Sequence, residues 1–402
     1  MHLLAGSPDA GGLMMSHARP SLGDKLRATV LRLANAVANY PKGDKPAVTS
    51  ASLAQSNVRV ALSVLYAPFD EIDLGERYGA PPRPRYFSDL VRQLDAVEAH
   101  AAMQPTLVGV VRDHDELEAA MTADRVALVH AVEGGFHLGD TPAAVRANVA
   151  KLASRGVAYI TVAHLFWRQV ATNAPGVPFL PDWVYTTLFP QPEIGLHPLG
   201  QALVAAMLDH RILIDVTHMS ARSIDETLHL LDQHDPNGVV PLLATHSACK
   251  ALTRAQYNLS DEHIAAIARR RGVIGLIACR HWMAMGMPAP KTIGDTMDVI
   301  CRHIDHIESV VQGVDTDLDG DHLFTAFGSD QDGFIKPSLP GLETPAGFAQ
   351  VEAELTKRYG AVAAERICSG NALRVLNYWG RRRGGGGGPD GPDGHHGVRT
   401  GG

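Results

Sequence analysis

Five side chains suited to metal binding or proton transfer stand where apolar runs of strand length end. Glu133 closes VALVHAVE, His164 closes VAYITVAH, His218 closes ILIDVTH, His246 closes VVPLLATH and Asp330 closes HLFTAFGSD. Imidazoles combined with carboxylates suit a hard or borderline divalent cation, zinc above all, and are also the groups of general acid and base chemistry. Each residue alone has a plainer reading. A single strand-end histidine such as His164 is more often a hydrogen-bonded structural residue. Glu133, before Gly134 and Gly135, fits a tight turn. Asp330 in GSDQDG has turn-forming neighbours, and Asp332 is best taken as a turn former. Together the plain readings weaken, because burying charge at equivalent positions of several strands costs several kcal/mol per group unless it is paired or metal-bound.

The remaining histidines carry less weight. His303 and His306 in CRHIDHIESV sit three apart on an expected helix surface, within reach of Asp305 or Glu308. His100, His114, His210, His229 and His234 read as solvated helix or loop residues, and His395 and His396 fall in the C-terminal tail.

The elements that must position the five candidates repeat in strand-then-helix order. Apolar runs occur at 58–66, 106–111, 126–132, 157–163, 212–217, 239–245, 272–278 and 323–328. Between them, 143–156, 198–211, 221–234 and 260–272 have helical spacing, with a helix start at Ser260 and stops at Gly156 and Gly272. Nearly continuous apolar strands alternating with helices predict a parallel sheet covered on its faces, and about eight of them favour a (β/α)8 TIM-type barrel. Barrel enzymes assemble their sites at the C-terminal ends of the strands, where the five candidates lie. No GxGxxG or GxxxxGK[ST] follows an early strand, which removes the usual nucleotide-binding alternatives. Residues 165–197, rich in Pro, Trp and Phe, are expected as a long loop over the mouth. One barrel domain over 1–380 and a disordered Gly/Pro-rich tail over 381–402 follow.

Bulk properties fit that picture. The net charge of −7 offers no clustered positive field for nucleic acid. No apolar run approaches the ~18–20 residues that a membrane helix needs. The four scattered cysteines show no metal-binding or disulfide spacing and read as buried thiols of a cytoplasmic protein. A homodimer is left open.

AVEGG (131–135), AYITVAH (158–164), GLHPLGQALVAAMLDHRILIDVTHMS (195–220), ATHSACKAL (244–252), NLSDEHIAAI (258–267), HIDHI (303–307), GSDQDG (328–333) and SGNALRVL (369–376) together resemble the membrane (renal) dipeptidase family of zinc peptidases. The resemblance covers roughly 50–380. It implies a hydrolase that cuts the peptide bond of dipeptides with two zinc ions. By that resemblance Glu133 bridges the ions, His218 and His246 complete the second metal site, His164 contacts substrate and Asp330 assists proton transfer. Two such cations lower the pKa of a shared water so that hydroxide forms near neutral pH, and they polarise the scissile carbonyl.

Two features depart from the family pattern. No HxD pair, on which the first metal site depends, occurs near the N-terminus, and His2 and His17 lack the aspartate two residues on. The expectation is that the natural product begins upstream of Met1 and carries the first barrel strand, which this chain then lacks; TLVGVV is correspondingly expected to be peripheral. Tyr257 stands where family members place an arginine that grips a carboxylate, with Arg254 three residues earlier as a substitute. Three readings stay open: a zinc dipeptidase-like hydrolase, a metallohydrolase of the same fold acting on another amide or a lactone, and a non-catalytic relative.

Overall fold

The computed structural model describes residues 47–380 apart from positions 72, 74, 75, 179, 315, 334, 336 and 337. The anticipated C-terminal tail and the N-terminal region expected to lack the first strand lie outside the described residues. All eight apolar runs form strands of one parallel sheet: β1 (Val60–Leu65), β2 (Val108–Val111), β3 (Val126–Glu133), β4 (Val157–Thr161), β5 (Leu213–Asp215), β6 (Leu242–Ser247), β7 (Val273–Leu276) and β8 (Thr325–Phe327).

The main path runs β1-β3-β4-β5-β6-β7-β8, with β2 off it. β3 serves three neighbours. β1 follows Ala127–Val132 along one edge, so β2 (at Val126–Val129) and β4 (at His130–Glu133) share the other. The TLVGVV run is thus peripheral, as its sequence indicated.

Parallel neighbours need crossover connections, and helices supply them. Pro142–Ser154, Pro198–Asp209, Ala221–His234, Asp261–Arg269 and Ile293–Val311 link successive strands from β3 to β8. Side chains alternate along each strand, and the two faces meet different company. Leu128, Val132, Ile160, Ile214, Leu242 and Ile274 join the large cluster with the crossover helices. Ala127, Val129, Ala131, Tyr159, Leu213, Leu243, Val273 and Ala326 form a second cluster with Val375 and Leu376 from the last described helix, Asn371–Leu376, and with Trp379 just beyond it. One face therefore packs under helices while the other packs largely on itself, the pattern of a curved sheet with an inside. Among the described residues β1 and β8 have no pairing with each other, and the inward Val60, Leu62 and Val64 are only half-buried.

Local signals set the element ends. Ser260 caps its helix by accepting from the His263 amide at 3.4 Å, and Gly156, at φ +77°, ends the helix before β4. Gly272 differs from expectation. The left-handed residue after Asp261–Arg269 is Arg271 (φ +52°), and Gly272 is required because any Cβ there would collide with the Leu242 carbonyl oxygen.

Candidate metal centre

Each candidate side chain reaches the C-terminal edge of the sheet by a different local route. Glu133 is the last residue of β3, and His246 lies in β6 where the pairing register shifts between Ala244 and Ser247. The other strands stop earlier than the apolar runs suggested. β4 ends at Thr161, β5 at Asp215 and β8 at Phe327, each three residues short of His164, His218 and Asp330. For β5 the cause is Asp215 itself: its Oδ1 accepts the Thr217 amide at 3.0 Å and the Thr217 hydroxyl at 2.6 Å, turning the chain out of the strand. His218 then takes φ +67° and Asp330 φ +50°. Left-handed backbone at non-glycine residues costs of order 1–3 kcal/mol and concentrates at functional sites.

Three of the five candidates converge. The Nε2 atoms of His218 and His246 are 3.0 Å apart. Glu133 Oε1 lies 3.4 Å from the first and 3.2 Å from the second. A tetrahedral zinc ion with ligand bonds of roughly 2.0–2.1 Å holds its ligands about 3.3 Å apart. The triangle therefore has the edges of a metal site, and all three residues are buried. Burial raises the Glu133 carboxyl, but the charge of His164 and hydrogen bonds from His218 and His246 outweigh it and hold it well below the usual range. Burial, with the nearby His164, lowers His218 to about 4. His246 goes the other way: burial lowers it, but Asp330, Glu133 and Asp215 together raise it to about 9.

A buried network beneath the triangle fixes the imidazole of His246. Asp215, fully buried, accepts at Oδ2 from the hydroxyls of Thr161 (2.6 Å) and Thr245 (2.7 Å), and at Oδ1 from the Thr245 amide (3.0 Å). The Thr245 hydroxyl is 3.0 Å from His246 Nδ1. Its single proton goes to Asp215, so it accepts from Nδ1–H, and Nε2 is left to offer its lone pair to a cation. His218 Nδ1 is buried without a hydrogen-bond partner.

His164 stands beside the triangle, with Nε2 3.6 Å from Glu133 Oε1 and Nδ1 2.7 Å from Glu71 Oε2. Burial opposes its charged form, yet the Glu71 and Glu133 carboxylates raise its pKa. Sequence reasoning missed Glu71, which lies in a short PFDE turn of helix with no periodic signature. Asp330 is half-buried and near enough for its charge to be the chief influence raising His246. Its carboxylate lies over Gly333, where a Cβ would strike both oxygens.

Several plainer readings need correction. Asp332 does more than form a turn: its two oxygens accept the amides of Ala47 (3.0 Å) and Val48 (2.8 Å). His303 is fully buried rather than on a surface. Its Nδ1 accepts the Cys249 amide at 3.1 Å and Nε2–H donates to the Met283 carbonyl at 2.9 Å. His306 pairs with Asp261 at 2.7 Å, not with Asp305 or Glu308. His114 is buried, not solvated. Tyr257 is buried, donates its hydroxyl to the His246 carbonyl at 2.7 Å and stacks on Trp282 at 4.4 Å. Arg254 is exposed.

Known proteins resemble the chain along most of its length. Dipeptidase tcpJ of Claviceps purpurea is 24% identical over 294 residues, which cover 72% of this chain and 59% of that protein. The chain thus spans about three fifths of that relative. A crystal structure of dipeptidase AC, a metallopeptidase of family M19, superposes with a TM-score of 0.66 at 20% identity, covering 89% of this chain and 96% of the other. A metallopeptidase of Rhodobacter sphaeroides, solved with a phosphinate mimic of L-Ala-D-Ala, gives 0.65 at 19% identity, with coverages of 88% and 96%. At these identities the solved structures speak for the fold. The description "Membrane dipeptidase (Peptidase family M19)" matches residues 22–380 continuously, and the chain belongs to that family.

Proposed function

We propose that this protein is a zinc-dependent hydrolase of dipeptides, with Glu133, His218 and His246 as metal ligands, His164 contacting substrate and Asp330 moving a proton. The observation that carries the reading is the buried triangle of ligand atoms with edges of 3.0, 3.2 and 3.4 Å. The curved sheet, helix-covered on one face and self-packed on the other, supports a (β/α)8 barrel. A bound divalent ion supplies a water of lowered pKa and polarises the scissile carbonyl.

The chain's own residues do the rest. Glu133 remains ionised among the imidazoles and balances the positive charge. Thr245, anchored on Asp215, keeps His246 Nε2 aimed inward. Asp330, on a left-handed turn beside His246, takes a proton and delivers it to the departing amine. Family precedent supports two ions sharing Glu133. The described residues group ligands for one, and the second requires others than this triad.

Tyr257 favours a second reading, hydrolysis of an amide or lactone without a free carboxylate. Its hydroxyl is committed to the His246 carbonyl and its ring is stacked on Trp282, so this position grips no carboxylate. Metal analysis of the purified chain together with turnover of a broad dipeptide panel decides between them. Zinc with dipeptide turnover supports the first reading. Zinc without it shifts the assignment to the second, and a chain that takes up no divalent ion defeats both.

A further inference from the structure

Glu71 is 1% exposed, and the ionisable side chain that meets its carboxylate is His164. Oε2 accepts from His164 Nδ1 at 2.7 Å and from the Tyr66 hydroxyl at 2.6 Å, while Oε1 accepts the Phe166 amide at 2.9 Å. Its backbone carbonyl accepts from Arg168 Nε at 2.8 Å and from Nη2 at 2.6 Å. A buried carboxylate is costly unless hydrogen bonds satisfy it, and apart from Tyr66 every donor here belongs to the segment 164–168 that carries His164. Glu71 and that segment are ninety-odd residues apart in sequence (|i−j| = 93 for the His164 pair) and are locked together at the mouth of the sheet.

The bond constrains the imidazole in two ways. A ring nitrogen 2.7 Å from a carboxylate oxygen carries a proton, so Nδ1 is the donor and the ring cannot flip without losing the contact. With Nδ1 held there, the opposite nitrogen faces the centre, 3.6 Å from Glu133 Oε1. Tyr66 and His218 flank the ring, with centroids 4.5 and 4.4 Å away. A carboxylate that fixes one nitrogen of an imidazole whose other nitrogen works in the site is a recurring way of setting ring orientation.

We propose that Glu71 is a positioning residue for the reaction, holding His164 with Nδ1 protonated and Nε2 directed at substrate bound by the Glu133–His218–His246 centre. The reactive role of His164 rests on the dipeptidase reading; the orientation of its ring does not.

The experiment has two arms, both on full-length, metal-loaded protein. In the first, long-range 1H–15N spectra of histidine-labelled protein read the ring, with the His164 signals assigned by their loss in His164→Gln. The expected wild-type pattern is a protonated Nδ1, with its shift displaced in Glu71→Gln. An unprotonated Nδ1 in the wild type, or signals unmoved by Glu71→Gln, overturns the proposal whatever the activity. In the second, a double-mutant cycle is run on kcat/KM with a dipeptide the wild type turns over. Glu71→Gln alone is expected to lower kcat/KM by about 10- to 100-fold with metal content unchanged. In the His164→Gln background it should add less than about twofold, as coupled partners do. Equal losses in both backgrounds make Glu71 a strut of the loop and overturn the proposal. A wild type with protonated Nδ1 that is inert on all dipeptides defeats the substrate reading alone.

Discussion

His218 Nε2 faces His246 Nε2 across 3.0 Å, and no proton can sit on both. With His218 lowered to about 4 and His246 raised to about 9, the metal-free centre at neutral pH keeps the proton on His246, which donates it to His218. A cation must displace that proton. Metal uptake near pH 7 is therefore expected to release about one proton per ion, and affinity to rise about tenfold per pH unit until pH approaches 9. The stability of the metal-free protein runs oppositely. His246 has a folded pKa above its ordinary 6.5, so its contribution is complete below that value and fades as pH rises through about 9. Calorimetry in buffers of different ionisation enthalpy reads the proton release, and a metal affinity flat between pH 6 and 9 contradicts the assignment.

His218→Ala removes one corner of the triangle. The expected result is loss of bound zinc and of hydrolysis, with far-UV circular dichroism unchanged, because the side chain has no hydrogen bond beyond the site. Alanine bears the same left-handed strain of φ +67° that histidine already bears, so the backbone shifts nothing and the thermal midpoint is expected to move only by the lost packing of the buried ring. Zinc retained at full stoichiometry contradicts the ligand assignment.

Thr245→Val keeps the shape of the side chain and removes the hydroxyl between Asp215 and His246. Asp215 Oδ2 loses one of its two donors and His246 Nδ1–H loses its acceptor. Metal affinity is expected to weaken about 10- to 100-fold and folding stability to fall by about 1–3 kcal/mol. Chelator competition and denaturant unfolding measure the two effects separately. Unchanged affinity alongside lost stability would make the network purely structural.

Tyr257→Phe removes only the hydroxyl bound to the His246 carbonyl. Because that hydroxyl is committed to the backbone, the expected outcome is a loss of about 1 kcal/mol of stability with KM changed little. A large rise in KM would show that the hydroxyl contacts substrate after all.

Gly328→Ala tests how closely β8 approaches the site. A Cβ at 328 would collide with the Thr245 carbonyl oxygen, so the substitution is expected to disturb the residue that orients His246 and to lower both soluble yield and metal content. Normal zinc stoichiometry in a well-folded Gly328→Ala protein would show that β6 can shift freely.

Much of this was legible in the chain because short-range chemistry dictates it. The eight apolar runs became strands, since continuous valine, isoleucine and leucine suit a sheet covered on both faces. Glu133, His218 and His246 came together because each follows a parallel strand to the same edge. What remained hidden depended on distant partners. Nothing in PFDEI announces that Glu71 meets His164, and nothing near His303 announces the Met283 carbonyl that buries it. Strand ends were overestimated where a side chain bends the backbone, as Asp215 does; the apolar pattern runs on although the ladder has stopped.

Asp332, two residues beyond Asp330, grips the amides of Ala47 and Val48, which lie 285 and 284 positions away in sequence. The clasp makes the turn that carries Asp330 a mechanical neighbour of the segment at Ala47 and Val48. Tags, fusions or cuts placed just ahead of Ala47 would tug on the turn over which Asp330 is poised, so turnover would report on alterations made far from any ligand.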